Sequence, residues 1–374
     1  MVLGIDASRC GAHNGTGVEA YSTAVVRAIL KELSVSTHPK FDEVVLYTPH
    51  HLSSEILGGK YSFVRQRVIP FPRLWTQVRL SAEMIHEEPH VLFVPSHVLP
   101  LIHADNSVVT IHDVAFTHFP KSYSFFQRKY LTFTTWLTVR EAKKIIVPSE
   151  ATRQDLMKMF KCPEKKIAVV SHGFERDPNV ATKRDSELLK EFGLDTRSKY
   201  IFYVGRLEEK KNLIRLVRAF VKFKKEFPEW RLILAGNRGF WFEKLFHEVE
   251  KHELWESIMM PGYVTDEERS VLYRHCQFVA FVSLAEGFGF PVLEAASFGK
   301  RVLASDIPAL REVGGGALTY CDPLSEDAIF EGMTKITQLE HSENDSKHKL
   351  ETLTEKYTWE RAGKETLRVL ERVL

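Results

Sequence analysis

Cysteine is scarce in this chain: four in 374 residues, Cys10, Cys162, Cys276 and Cys321, none paired in a Cys-x-x-Cys spacing. That argues against a zinc knuckle or a disulfide framework and fits a reducing compartment, so a cytoplasmic protein is expected. No hydrophobic run approaches the ~18 residues that a membrane span needs. Met1–Asp6 reaches a charge with no basic stretch before it, so no signal peptide is expected there. Twenty Gly and 16 Pro are too few for a fibrous or low-complexity chain. An excess of one charge is missing too. Lys and Arg number 51 against 49 Asp and Glu, a net +2, and no nucleic-acid partner is expected. With 44% hydrophobic and 27% charged residues, the balance is that of a globular chain.

Short β-branched runs alternate with amphipathic stretches along almost the whole length. The runs lie at 2–6, 43–48, 63–69, 91–95, 107–112, 144–149, 167–171, 200–205, 231–236, 257–262, 278–283, 301–305 and 317–321. Most are near-continuously apolar, as strands buried on both faces are. Helical patterns separate many of them, including 17–33, 123–142, 150–160, 212–227 and 291–298, so the sheets are expected to be parallel and covered on both sides. Thirteen strands exceed one ordinary doubly wound sheet. The natural cut is 176–198, where ten of 23 residues are charged and β signal is absent. It reads as a linker with a surface helix. The expected fold is α/β, two Rossmann-like domains across a cleft: 1–175 plus 357–374, then 199–356. The stripe Trp359, Ala362, Leu367, Leu370, Val373 and Leu374 marks a final amphipathic helix. No long-period repeat shows.

Four motifs could carry chemistry. Gly11, Gly15 and Gly17 follow the first strand and let the chain turn sharply into a helix whose N-terminus suits an anion. Their spacing is neither Gly-x-Gly-x-x-Gly nor a P-loop, which disfavours a nicotinamide dehydrogenase. His112-Asp113 ends an apolar strand, where parallel strands line a ligand crevice. His112 could donate to a hydroxyl or phosphate there, and Asp113 could orient the ring or cap a turn. Gly205-Arg206-Leu207-Glu208-Glu209-Lys210-Lys211-Asn212 closes the first strand of the second domain; Arg206 and Lys211 suit a diphosphate, though a solvated charged loop would look the same. The most informative string is Ser283-Leu284-Ala285-Glu286-Gly287-Phe288-Gly289-Phe290-Pro291-Val292-Leu293-Glu294. Two glutamates flank a glycine-relieved turn with Pro291 at the start of a helix. Backbone N–H groups there could meet sugar hydroxyls or a phosphate. The blander reading is a tight strand–helix turn with a capping Glu.

The Glu286-to-Glu294 string resembles the Glu-x7-Glu motif of retaining glycosyltransferases of family 4, which have the GT-B fold. The Gly-rich loop, His112, Gly205-Arg-Leu and Lys211-Asn212 fall in that family's order. Val170-Ser-His-Gly173, Gly262-Tyr263-Val264, Pro308–Val313 and Tyr357-Thr-Trp-Glu360 resemble it as well. The resemblance spans nearly the whole chain, strongest over 200–320. It implies transfer of a hexose from a nucleotide-diphosphate sugar to an acceptor hydroxyl, with retention and with neither cofactor nor obligatory metal. By position it implies that Arg206 and Lys211 hold the diphosphate, and that Glu286 with the N–H groups of Phe288, Gly289 and Phe290 holds the donor sugar. Glu294 would accept the ribose hydroxyls. Gly15 and Gly17 would lie against the phosphates, Tyr263 and Val264 belong with the donor-binding set, and His112 would face the donor sugar near its anomeric carbon. Glu209 and Lys210 depart from the Pro and Arg or Gly often found there. The last helix would cross back onto the first domain.

The phrasing at 111–113, 283–289 and 308–313 looks most like members that use GDP-mannose; UDP-sugar members share most of these residues. A nucleotide-sugar epimerase or a non-catalytic nucleotide-sugar-binding subunit on the same fold are the other readings. The acceptor is expected to be a glycan or lipid-linked oligosaccharide. The first domain carries a basic excess. Residues 56–82 hold Lys60, Arg65, Arg67, Arg73 and Arg79 and no acid, and 121–166 hold eleven basic and four acidic residues. Either this is an ordinary solvated face, or it holds an anionic acceptor at a membrane surface.

Overall fold

The structure is a computed structural model and describes residues 1–11, 17–71, 74–175, 184–339 and 343–374. Gly15, 72–73 with Arg73, and the linker stretch 176–183 lie outside the described residues. The chain forms two compact units. The first comprises Met1–Thr117, Phe125–Glu175 and Tyr357–Leu374; the second comprises His118–Ser124 and Arg176–Lys356.

In the first unit the strands are β1 (Val2–Asp6), β2 (Glu43–Thr48), β3 (Val64–Val68), β4 (Val91–Val94), β5 (Ser107–Thr110), β6 (Lys144–Val147) and β7 (Ile167–Val169). They make one parallel sheet in the order β3-β2-β1-β4-β5-β6-β7. Every residue of β4 and β5 is buried, as their unbroken apolar runs imply. Helices cover the sheet. The Gly17–Val35 helix buries Tyr21, Val25, Val26, Ile29 and Leu33 against it. The C-terminal helix Trp359–Glu371 belongs to this unit and packs on that first helix, with Gly363 against Ala28, where a Cβ would sit 2.7 Å from the alanine methyl. Its entry is pinned by Phe174 N donating to Tyr357 O (2.9 Å), and Gly173 is required there because a Cβ would lie 2.4 Å from the Trp359 backbone.

In the second unit β8 (Tyr200–Val204), β9 (Arg231–Ala235), β10 (Ile258–Gly262), β11 (Phe278–Phe281), β12 (Arg301–Ser305) and β13 (Thr319–Cys321) form a parallel sheet in the order β10-β9-β8-β11-β12-β13. The charged stretch read as a linker contains the helix Asp185–Glu191. Its Leu188 and Leu189 are buried, and Asp185 is held by Arg274 (2.6 Å) and His275 (3.0 Å). Residues 118–124 also belong to this unit, where Ser122 Oγ donates to Glu209 (2.6 Å).

The basic stretch 56–82 is not the uncompensated patch that its sequence suggests. Arg65 pairs with Glu43 (2.9 Å) and with Glu87, while Arg67 (2.6 Å) and Arg79 (3.0 Å) converge on the buried Glu83. The acids come from β2 and from 83–87, beyond the window that looked acid-free. Strand pairing delivers Glu43 to Arg65, because β2 and β3 run in parallel with Val45 opposite Arg65.

Candidate active site

Each sheet reverses its strand order once, and ligands of such sheets bind beyond the carboxyl ends of the strands at that point. In the second unit the reversal lies between β8 and β11. The loops that leave these two strands are 205–212 and 282–289, the two motif-bearing segments. They are stitched together. Leu284 N donates to Lys210 O (2.7 Å), and Asn212 Nδ2 donates to Val282 O (3.0 Å) and Pro323 O (2.7 Å). Asn212 is buried and left-handed (φ 60°), a conformation that asparagine tolerates better than most residues. It ends the loop and opens the helix Leu213–Glu226.

This stitching brings Lys211 Nζ to Glu286 Oε1 at 2.5 Å, with side chains only 13% and 10% exposed. Lys211 also lies 5.3 Å from the centre of the Phe281 ring. Two groups that the sequence reading gave to different parts of one ligand therefore touch. Arg206 stays exposed at the loop's start, 3.9 Å from Glu208, and Tyr203 Oη supports it by donating to the Arg206 carbonyl (3.2 Å). Burial, with Glu286 and Glu208 nearby, holds the Tyr203 hydroxyl well above its ordinary range, so it keeps its proton.

The helix after β11 is Phe290–Ser297, capped by Gly289 with Pro291 in its first turn. Gly289 has φ 116°, and a Cβ there would come 2.7 Å from Leu310; only glycine turns here without strain. Glu286 does not cap this helix, because its carboxylate goes to Lys211. Glu294, in the helix, accepts from Tyr273 Oη (2.8 Å) and lies 3.9 Å from Arg269. Both partners come from the helix Asp266–His275, whose start is fixed by a capping box between Thr265 and Glu268. Phe288 and Val264 are buried, and Tyr263 is exposed just after β10.

His112 and Gly17 sit in the first unit. Gly17 opens the first helix and is exposed. His112 Nε2 donates to the Pro95 carbonyl (2.9 Å), which leaves Nδ1 to accept from His172 Nε2 (3.1 Å). Burial pushes the His112 ring down to about 4 and His172 well below its usual value. Tyr21 packs against both rings at 4.7 and 4.2 Å and meets Thr110 through its hydroxyl (3.2 Å). The ring that the resemblance assigns to the donor sugar thus has both nitrogens engaged within its own unit. Asp113 accepts from Ala115 N (2.9 Å), capping the turn that follows. Reading the sequence missed His172 as a partner of His112, and Tyr273 and Arg269 as partners of Glu294. Only Val170-Ser-His-Gly173 carried a signal for the first.

Residues 185–352 match the family described as glycosyl transferases group 1, and residues 25–177 match glycosyltransferase family 4. The chain is 26% identical to O-antigen chain mannosyltransferase B of Escherichia coli, over 84% of this chain and 85% of that protein. It is 25% identical to O-antigen chain mannosyltransferase RfbU of Salmonella typhimurium, over 90% and 91%. Among solved structures, Anabaena HepE in complex with UDP and glucose matches with TM-score 0.73 at 16% identity, over 99% of both chains. WaaG, a glycosyltransferase involved in lipopolysaccharide biosynthesis, matches with TM-score 0.73 at 12% identity, also over 99% of both. At such identities the structural likeness speaks for the fold, GT-B with two parallel α/β units. The two family matches, one in each unit, and the similar mannosyltransferases make this chain a member of the family 4 glycosyltransferases.

Proposed function

We propose that this glycosyltransferase moves mannose from GDP-mannose to a hydroxyl of a glycan or lipid-linked acceptor, retaining the anomeric configuration and needing no metal ion. The observation that carries the reading is the Lys211–Glu286 contact at the strand-order reversal, beside the N-terminus of the Phe290–Ser297 helix. Lys211 already faces one anion there, and a diphosphate would be its second. Arg206, exposed at the rim of the same loop, adds the bidentate fork. Together they offset charge as it develops on the leaving diphosphate. Glu286 and the backbone of Phe288, Gly289 and Phe290 hold the hexose, and Glu294 accepts the ribose hydroxyls in the orientation set by Tyr273. Tyr263 and Val264 complete the donor-binding set.

The leaving phosphate oxygen takes the acceptor proton on the face from which it departs, so the protein's work is positioning and charge stabilisation. For His112 the reading requires one of its two ring bonds to give way to the donor. His112→Ala should then lower turnover more than donor binding.

Mannose is favoured by the two mannosyltransferase relatives. A UDP-sugar donor is the second reading, favoured by HepE, which binds UDP-glucose. A donor panel of GDP-mannose, UDP-glucose, UDP-N-acetylglucosamine and UDP-galactose, scored by thermal shift and hydrolysis, separates them. Stabilisation by GDP-mannose alone is expected; stabilisation by a UDP-sugar alone overturns the mannose assignment. Product analysis without acceptor tests the epimerase alternative.

A further inference from the structure

The helix Phe125–Glu141 is built inside out. Its inward face is Thr134, Thr135, Thr138 and Val139, all buried. The inward hydroxyls are satisfied: Thr134 Oγ1 donates to Tyr130 O (2.9 Å), Thr135 Oγ1 meets His97 Nε2 (3.2 Å), and Thr138 Oγ1 accepts from Leu99 N (3.4 Å). Its large rings point the other way. Phe126 is 83% exposed, Tyr130 40%, Phe133 53% and Trp136 47%, at the i, i+4, i+7 and i+10 positions of one stripe. A helix held to its domain by threonines, with these four rings and that of Phe125 (60% exposed) in solvent, has its apolar face turned to something outside the unit.

Cations share this face. Lys129 lies 5.7 Å from the Phe125 ring centre and Arg140 5.5 Å from that of Trp136. The helix carries three basic residues against one acid, Glu141, which pairs with Arg140. The preceding loop, which the Leu99–Thr138 bond ties to the helix, also exposes Leu101 (55%) and Ile102 (47%).

We propose that this face docks on an anionic lipid bilayer, the rings entering the acyl boundary and the cations lying among the lipid phosphates. The composition decides between occupants. A protein groove would have to bury the cations along with the rings on which they rest, at a desolvation cost. A headgroup layer takes both at one level, which is where Trp, Tyr, Arg and Lys gather at membranes. No helix among the described residues is long and apolar enough to cross a membrane, so the docking would be peripheral. The inference is independent of the donor and acceptor proposed above.

The test uses the full chain with vesicles of phosphatidylcholine alone and of phosphatidylcholine with phosphatidylglycerol, by co-sedimentation at low salt. Binding to the anionic vesicles is expected, and little to the neutral ones. F126S/F133S should weaken it about ten-fold or more, and K129Q/R140Q by about five-fold per cation, with melting temperatures unchanged because these side chains are mostly exposed. Equal binding to both vesicle types, or wild-type binding by both variants, overturns the proposal. So does a concentration-dependent dimer that F126S/F133S dissolves, which would make the face a contact between copies.

Discussion

Both units place functional candidates beyond the carboxyl ends of a parallel sheet, at β8 and β11 in the second and after β5 and β7 in the first, but with opposite chemistry. In the second unit the groups are charged and paired: Lys211 with Glu286, and Glu294 with Tyr273 and Arg269 nearby. In the first they are neutral rings: His112 and His172 in contact, packed against Tyr21, their charged forms disfavoured by burial. One unit can answer a diphosphate with fixed charge. The other offers groups that stay uncharged through the physiological range. The parallel topology that both sheets share therefore does not decide what their strand ends do; the residues that follow the strands do.

The sharpest way to break this contrast is the Lys211–Glu286 pair. Lys211→Ala leaves a largely buried carboxylate without its cation, and should cost about 3–5 kcal/mol of stability in the second unit and turnover by ten-fold or more. The double variant K211M/E286Q should recover most of the stability and none of the activity. Denaturant melts with initial rates make the measurement; a double variant that regains turnover would reduce the pair to a structural contact.

Next in size is Glu294. Glu294→Ala should lower turnover by about ten-fold, equivalent to about 1.4 kcal/mol, while Tyr273→Phe, which removes only the orienting hydroxyl, should raise the donor KM by less. Equal effects would mean that Tyr273 holds the helix and not the carboxylate.

The neutral-ring unit is probed by acid. His97, His112 and His172 all have values lowered by burial, His112 to about 4 from 6.5. Below about pH 6.5 the unfolded chain binds protons that the folded unit refuses, so stability falls as the pH drops toward 4. In the second unit His252 and His275 instead face Glu248 (3.1 Å) and Asp185 (3.0 Å). Hydrogen exchange at pH 7 and 5 should show β4–β7 losing protection before β8–β13. The reverse order would break the comparison.

The smallest expected effect is none. With Arg206 and Lys211 supplying the positive charge, excess chelator should leave turnover unchanged. Loss that manganese or magnesium restores would replace the cationic clamp with a metal.

Much of the architecture was legible because its signals are local. A strand buried on both faces must be apolar throughout, so β4, β5 and β11 read directly from their runs. The turn at Gly289 reads from its own string, since a left-handed backbone against Leu310 admits no Cβ. The helix Phe125–Glu141 was legible as a helix, but its orientation was not: aromatic and threonine stripes both repeat at helical spacing, and only packing decided that the threonines go inside.

The amino-acid order by itself determined the alternation of strands and helices, the two parallel sheets and the segments that end at the switch point. Each of these depends on residues within a few positions of one another. Tertiary structure alone decided the partners. Lys211 and Glu286 are 75 residues apart, His112 and His172 are 60 apart, and Arg65 meets acids 22 residues away on either side. A charge or a ring in a sequence declares what it can do, but whether it is free, paired or neutral depends on what the fold brings within a few ångströms, since electrostatic and hydrogen-bond energies fall off over that distance.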